Sequence, residues 1–344
     1  MASTFTIPQI AEAAGVSTAT VDRVLNNRPG VGQATVERVR NAMESLGAIS
    51  PVRGRPRASQ SFKFAFVLPA ARRGFFDLVD RVIAQSAGDF RHKHIAELTH
   101  RIPAHDGNAF AAQLAKLTDV DGIALLAPDV PAVKLAVNEL VRSGIHVVTL
   151  FSDVAGSLRE TYIGADNKAA GRTAGLLIGR ELAHIASPRC ALLSPQTRYA
   201  FEIDRVVGFE QVLQERGAHI DLVRFSDMPE TEDDTRRFVS QHVPAAASAA
   251  SLHAVYSVGP GSFGLSRALT DLGYDTRLTV AIHDLLEVNR PLLMSHGVTY
   301  VLHQDVHYAV NTAAKVLRDL CEGVRGALSV SNPRVEILTP ENLA

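Results

Sequence analysis

Gly259-Pro260-Gly261-Ser262-Phe263-Gly264 fits the pattern Gly-x-Gly-x-x-Gly, with an apolar, strand-like run before it and a helix-like run after it. In a strand–turn–helix setting such glycines let the backbone approach a pyrophosphate, and Asp284 lies near the spacing of a ribose-binding acid. That chemistry belongs to NAD(H) and would make the chain an oxidoreductase or a redox sensor. Two features point away from it. Pro260 removes one backbone donor from the turn, and the loop follows four or more strand-like runs instead of opening the domain. The alternative is a loop that lines another kind of pocket, with Ser262 as a contact. No Gly-x-Ser-x-Gly, His-Glu-x-x-His or P-loop pattern is present, so an enzymatic reading rests on this loop alone. Cys190 and Cys321 are far apart in no metal-like spacing, and Arg91-His92-Lys93-His94 reads as a solvated face. The expectation is no enzyme, no metal and no cofactor.

The N-terminus holds a second candidate chemistry. Thr6 and Gln9 have capping-box spacing, and Pro8 suits a first turn. Ile10, Ala13 and Ala14 form an apolar stripe, and Gly15 is placed to end that helix. Ser17 can cap a second helix, with Val21, Val24 and Leu25 inward. A third follows with Val36, Val39, Met43 and Leu46, closed by Gly47. Two short helices joined by a tight turn, with a third in support, describe a helix-turn-helix. The second helix turns Thr18, Ala19, Asp22, Arg23 and Asn26 outward, the face that enters a major groove. Arg23 can donate two hydrogen bonds to a guanine edge or a phosphate, and Ala19 offers apolar contact. A three-helix packing module with a polar outer face is the competing reading.

The string "TIPQIAEAAGVSTATVDRVLNNRPGVGQATVERVRNAMESLG" closely resembles the DNA-binding headpiece of the LacI/GalR family of bacterial transcription regulators. The resemblance implies that Ser17 and Thr20 touch phosphates, that Thr18, Ala19 and Arg23 read bases, and that Asn26 sits near the DNA backbone. Thr6 is counted with this interface. Asp22 stands where the family often has Ser; its carboxylate is expected to accept a cytosine amino group or to orient Arg23.

The next stretch, "AISPVRGRPRASQSFK", departs from the family pattern. The family places a hinge helix here with a Leu wedged into the minor groove. Gly54 and Pro56 disfavour a helix, and no Leu lies between Leu46 and Leu68. Arg53-Gly54-Arg55-Pro56-Arg57 resembles instead the core of an AT-hook, an extended arm for a narrow A·T minor groove, which attracts Arg by its negative potential. A solvated interdomain linker is the competing reading.

These elements sit in a chain of 344 residues, longer than one typical domain. With 46% hydrophobic and 21% charged residues it reads as globular. A net charge of −1 gives no global field for nucleic acid, so any attraction is local. No basic-then-apolar leader and no uncharged apolar run of about 18 residues is evident. A cytoplasmic protein that does not enter a membrane is expected.

From Lys63 onward, β-branched runs alternate with helical stretches. The runs are "KFAFVLP", "DGIALLA", "HVVTLF", "RCALLS", "HAVYSV", "LTVAIHD" and "TYVLHQD"; helices are expected near 75–90, 130–143, 166–185, 203–217, 262–273 and 305–323. This alternation implies parallel α/β sheets with ligand at the carboxyl ends of strands. Gly171, Gly175 and Gly179 have the spacing of close helix packing. The segments "FVLPAARRGFFDLVDRVIAQSA", "VVTLFSDVAGSLRETYIGADNKAAGRTAGLLIGREL" and "DRVVGFEQVL" look like the sugar-binding half of the same regulators. That half is similar to periplasmic sugar-binding proteins, with two lobes, three crossovers and ligand in the cleft.

The expected fold is therefore a small all-α helix-turn-helix domain followed by a two-lobed α/β domain with parallel sheets. The expected boundaries are 1–50 for the headpiece, 51–62 for the basic linker and 63–344 for the effector domain. Lobe 1 is 63–165 with 304–326, and lobe 2 is 166–303 with 327–344. A sugar or polyol needs charged partners for its hydroxyls and aromatic faces for its C–H surface. By position in the resemblance, the effector contacts are Arg72, Arg73, Phe75, Phe76, Phe151, Asp153, Arg205, Ser262, Asp284 and Gln304. The whole implies a homodimeric repressor that binds double-stranded operator DNA and responds to a sugar, polyol or sugar derivative. The alternatives are a sugar-binding module without a regulatory role and the NAD(H) reading.

Overall fold

The computed structural model describes residues 6–25, 30–46, 61–71, 74–196, 199–217, 219–324, 326, 328–329 and 331–343. They fall into two compact units, Met1–Gln60 and Ser61–Ala344. Asn26, Arg53, Arg55, Arg57, Arg72 and Arg73 lie outside the described residues.

The small unit contains α1 (Ile7–Ala14), α2 (Thr18–Leu25) and α3 (Gln33–Ser45). Thr6 precedes α1 in an extended conformation, and its N–H donates to Gln9 Oε1 at 2.8 Å. Gly15 ends the helix at φ 62°, a left-handed conformation that glycine adopts without cost. The Val16 N–H then closes back on the Ala11 carbonyl at 3.0 Å. Ser17 Oγ accepts from the Thr20 N–H at 3.1 Å and starts α2. Ile10, Ala11, Ala14, Val21, Val39 and Ala42 form the core. The stripe on α1 therefore runs through Ile10, Ala11 and Ala14; Ala13 faces solvent, which corrects the sequence expectation.

The large unit holds two sheets. The first has β1 (Phe62–Pro69), β2 (Ile95–Ile102), β3 (Gly122–Leu125), β4 (His146–Leu150) and β5 (Thr161–Ile163), in the order β2-β1-β3-β4-β5, all parallel. The second has β6 (Arg189–Pro195), β7 (Asp221–Met228), β8 (Ala254–Ser257), β9 (Thr279–His283), β10 (Tyr300–Gln304) and β11 (Val335–Leu338). Its order is β11-β10-β9-β8-β6-β7, and only β11 runs antiparallel.

Side-chain alternation distributes the covering helices. On β1, Phe62, Phe64, Phe66 and Leu68 face a core shared with α4 (Gly74–His92) and α12 (Val306–Cys321). Ala65 and Val67 face the opposite core, with α5 (Gly107–Leu114) and α6 (Pro131–Arg142). In the second sheet, Leu192, Tyr256 and Ala281 pack on α7 (Asn167–Glu181) and α8 (Ala200–Glu215). Leu193, Val255 and Ile282 pack with α9 (Glu232–His242), α10 (Ser262–Asp271) and α11 (Asn289–Met294). Strands buried on both faces read as continuous apolar runs, which is how this sequence writes them.

The chain passes between the sheets three times: after β5, after β10, and between α12 and β11. Asp166 and Asp305 cap the helices after the first two crossings, accepting from the Ala169 and Tyr308 N–H groups at 2.8 Å each. Helices α7 and α8 touch backbone to backbone. A Cβ on Gly171 would lie 2.0 Å from the Arg205 carbonyl oxygen, and one on Gly208 2.1 Å from that of Lys168. Gly175 is similarly close to Phe209 and Val212, whereas Gly179 makes only ordinary contact with Leu213.

Candidate functional site

A cavity of about 480 Å³ opens between the two sheets. Its wall is built by the segments that follow β1, β6, β7, β8 and β9, so it lies at the carboxyl ends of strands from both sheets. Both sheets contribute charge and apolar surface to it.

Arg205 and Asp284 form the polar head. Arg205 lies in the second turn of α8, where Gly171 lets its backbone press against α7. Its Nε donates to Asn167 Oδ1 at 3.0 Å and its Nη1 to the Val258 carbonyl at 3.3 Å. The guanidinium carbon sits 5.0 Å from the Phe201 ring centroid, within cation–π range. Asp284 follows β9 in a left-handed conformation at φ 61°. Its N–H donates to the Leu302 carbonyl at 2.9 Å, and its own carbonyl accepts from Asn289 Nδ2 at 2.7 Å. Ser262, at the start of α10, hydrogen bonds to Asn289 Oδ1. One Asn thus ties the β8 and β9 loops together.

His283 completes this wall. Its Nε2 lies 2.8 Å from the Tyr256 hydroxyl. Burial, with the Arg205 charge next, holds its imidazole well below the ordinary histidine range. The site therefore presents a neutral ring beside the buried cation of Arg205 and the buried carboxyl groups of Asp284 and Glu202.

An aromatic group faces the head. Phe75 meets Phe151 edge-on at 5.2 Å between centroids, Phe76 meets Tyr199 at 5.6 Å, and Tyr199 stacks on Phe201 at 5.5 Å. Phe75, Phe76 and Phe201 line the cavity. Farther out, Arg81 of α4 pairs with Glu287, and Gly74 lies against Leu286, so side chains from the two sheets meet at the rim.

The glycines of the Gly259–Gly264 loop answer to neighbours within the chain. Gly259 lies against Pro195, Gly261 turns at φ 88° against Thr235, and a Cβ on Gly264 would lie 1.9 Å from the Glu232 carbonyl oxygen. The Gly264 N–H donates to Glu232 Oε2 at 2.7 Å. A carboxylate of the protein holds the place a pyrophosphate would take, which counts against the dinucleotide reading.

The structure brings Phe75, Phe76, Arg205, Ser262 and Asp284 into one wall. It places three other expected contacts elsewhere. Phe151 is fully buried behind Phe75. Gln304 backs the site, with its Nε2 donating to Asp284 Oδ1 at 3.3 Å and its Oε1 accepting from the Ala165 N–H at 3.5 Å. Asp153 does not line the cavity. It accepts from Arg159 Nε at 2.7 Å and Nη2 at 2.6 Å, and from Thr149 Oγ1 at 2.7 Å. Burial opposes its charge, but these bonds hold its carboxyl below the usual range. Sequence reasoning missed Glu202, Glu230, Glu232, His283 and Glu287. Only His283 carried a signal, as the neighbour of Asp284 at the end of β9.

In the small unit, Ser17, Thr18, Ala19 and Arg23 are exposed on or beside α2, and Thr20 and Asp22 are partly buried. Ser17 Oγ and Thr20 Oγ1 lie 2.9 Å apart. Residues 1–60 contain seven arginines against four acidic residues, so the local positive surplus sits on this unit. Thr18, Ala19 and Arg23 are exposed together on α2, two short side chains beside one long donor.

Residues 64–324 match the periplasmic binding protein domain family, and residues 6–49 match the bacterial regulatory proteins of the lacI family. The chain belongs to the LacI family of regulators. No curated protein matches this LacI-family chain. Among solved structures, it is similar to a solute-binding protein of an ABC transporter from Burkholderia graminis in complex with D-arabinose, at 19% identity and a TM-score of 0.72, covering 84% of this chain and 99% of that one. It is also similar to GanP, a glucose-galactose binding protein from Geobacillus stearothermophilus, at 18% identity and a TM-score of 0.70, covering 83% and 99%. A structure described as a LacI transcriptional regulator from Bacteroides fragilis matches at 18% identity and a TM-score of 0.67, covering 83% and 99%. At these identities the likeness shows the fold of the large unit. Among the described residues, no helix is long and apolar enough to cross a membrane, and no group of three His, Cys, Asp or Glu side chains could hold a metal ion.

Proposed function

We propose that this LacI-family protein is a cytoplasmic, non-enzymatic transcriptional repressor whose affinity for operator DNA is set by a sugar or polyol bound between its two sheets. The observation that carries the reading is the joining of two units. A helix-turn-helix exposing Thr18, Ala19 and Arg23 is followed by a cleft with a buried Arg–Asp head and an aromatic wall. Ligand hydroxyls would bridge Arg205 and Asp284, and the C–H face would lie on Phe75 or Phe201. Two copies would place their headpieces on the half-sites of a roughly palindromic operator. Ligand binding would shift operator affinity only as far as the ligand favours one lobe arrangement over the other.

The test has two stages. Selection of bound sequences from a random duplex pool, with excess nonspecific competitor, yields an operator if the reading holds. Gel shifts on that operator, with and without neutral sugars and polyols, then show the response. A protein that selects no sequence is a sugar-binding module instead. Sedimentation at micromolar concentration that shows only monomer removes the dimer.

A further inference from the structure

We propose that Glu232 is a specificity-determining residue of the cavity. Its carboxylate fills the anion seat at the N-terminus of α10, so the cavity takes uncharged polyhydroxylated ligands and rejects phosphorylated or carboxylated ones. This inference rests on the cavity being the effector site and narrows the ligand class within it.

The loop from Gly259 to Gly264 opens into the cavity and leads into a helix of ten residues, Ser262–Asp271. The first N–H groups of a helix have no partner within it, and together with the helix dipole they attract an anion. Gly264 is the third residue of α10, and its N–H is one of these groups. It already donates to Glu232 Oε2 at 2.7 Å.

Glu232 is also the first residue of α9. Its carboxylate therefore stands where two helix N-termini converge, and both dipoles favour its negative charge. The two helices are locked at this point. A Cβ on Gly264 would lie 1.9 Å from the Glu232 carbonyl oxygen, and one on Gly261 would lie 2.1 Å from Thr235 Oγ1. The Glu232 backbone is packed against α10 here, which fixes the point from which its carboxylate reaches the Gly264 N–H.

Most of the remaining charges in the described wall have the same sense. Asp77, Glu202, Glu230, Asp284 and Glu287 line the cavity beside Glu232. Of the two arginines in the described wall, Arg81 pairs with Glu287, and Arg205 is bonded to Asn167 and Val258 and faces Asp284. An entering phosphate would meet a like charge where a bare helix terminus would have drawn it in, and such juxtapositions select against a ligand. Neutral hydroxyls meet no such opposition, because carboxylates accept from them.

The experiment compares the full-length protein with Glu232→Ala and Glu232→Gln, using inorganic phosphate as the probe in thermal-shift and calorimetric titrations. Glu232→Gln keeps the shape and an acceptor oxygen and removes the charge, so it reports even if Glu232→Ala fails to fold. The expected result is that both variants bind phosphate about tenfold or more tightly than the parent, with the Ala variant gaining more. The arginines of residues 1–60 are common to all three proteins, so the difference belongs to this seat. Equal phosphate responses in all three, or a parent protein stabilised by glucose 6-phosphate and not by glucose, overturns the proposal. A failed regulatory reading shows separately, as absence of operator selection by the parent protein, and leaves the phosphate comparison standing.

Discussion

Arg205 Nη2 stands 3.8 Å from Asp284 Oδ2, with 4% and 6% of the two residues exposed. This is an ion pair beyond hydrogen-bonding distance, and its partners are each held by other groups. Removing one member leaves the other charge buried without compensation, which costs about 3–5 kcal/mol. Arg205→Met and Asp284→Leu should each lower the urea midpoint by a corresponding amount. The double variant removes both partners of the pair together, so its loss should be smaller than the two single losses together. Strict additivity would show that the two charges do not interact.

His283 gives the large unit a pH-dependent term. Its ring is buried at hydrogen-bonding distance from Tyr256 and near Arg205, and its folded pKa lies well below the unfolded value of 6.5. Between those two values the unfolded chain binds a proton that the folded chain refuses. The contribution is therefore fully present above the unfolded value and is lost as pH falls below it. Urea midpoints at about pH 7.5 and about pH 5.5 should differ more for the parent protein than for His283→Gln. The chain has 13 histidines, so the comparison with the variant is what isolates this one. Identical pH slopes in both proteins would remove His283 as the cause.

The strands legible in the sequence share one property. The seven apolar runs correspond to β1, β3, β4, β6, β8, β9 and β10, which are the interior strands of the two sheets. The edge strands β2, β5, β7 and β11 carry no such run. β2 reads "IAELTHRI" and β7 reads "DLVRFSDM", each largely exposed or half-buried. An edge strand faces water on one side, and polar residues there discourage pairing with other chains, so its pattern merges with that of a loop. The site divides in a similar way. Arg205, Ser262 and Asp284 lie just after strand ends, within the first two turns of the helices or in the loops that follow, so topology finds them. Glu232 meets Gly264 only because α9 packs against α10, and no local spacing reports that. Asp153 is the converse case: an acid just after a strand, in the position of a ligand contact, which the structure commits to Arg159.

Two glycines should respond to alanine in opposite directions. A Cβ on Gly208 meets the Lys168 carbonyl oxygen at 2.1 Å, and backbone cannot rotate away. Gly208→Ala should separate α7 from α8 and cost about 3 kcal/mol or more, at or above the upper end for overpacking. Gly88 lies on the exposed side of α4 with nothing within 4 Å of its Cβ position. There alanine only lowers the entropy of the unfolded chain and favours the helix, so Gly88→Ala should gain about 0.5–1 kcal/mol. Thermal unfolding of the two variants checks the signs. A neutral Gly208→Ala would mean that the helix contact is looser than this geometry.

Arg23 and the linker arginines should fail in different ways on DNA. Arg23 is exposed on α2 beside Thr18 and Ala19, the residues that would meet base edges under the proposed function. Arg23→Ala should cost about 1–3 kcal/mol on the selected operator and relax preference at one base pair. Its effect on nonspecific duplex should be small. Arg53, Arg55 and Arg57 belong to an Arg-Gly-Arg-Pro-Arg stretch that, read as an AT-hook-like arm, would be drawn to phosphate and to a narrow minor groove. Each phosphate neutralised contributes about 0.9 to the slope of log affinity against log salt. Changing all three to Ala should therefore flatten that slope by about 2–3 and weaken specific and nonspecific binding together. If the slope is unchanged while Arg23→Ala behaves as stated, the linker only spaces the two units and α2 alone carries DNA recognition. If Arg23→Ala instead weakens every sequence equally, Arg23 holds a phosphate, and base reading falls to Thr18 and Ala19.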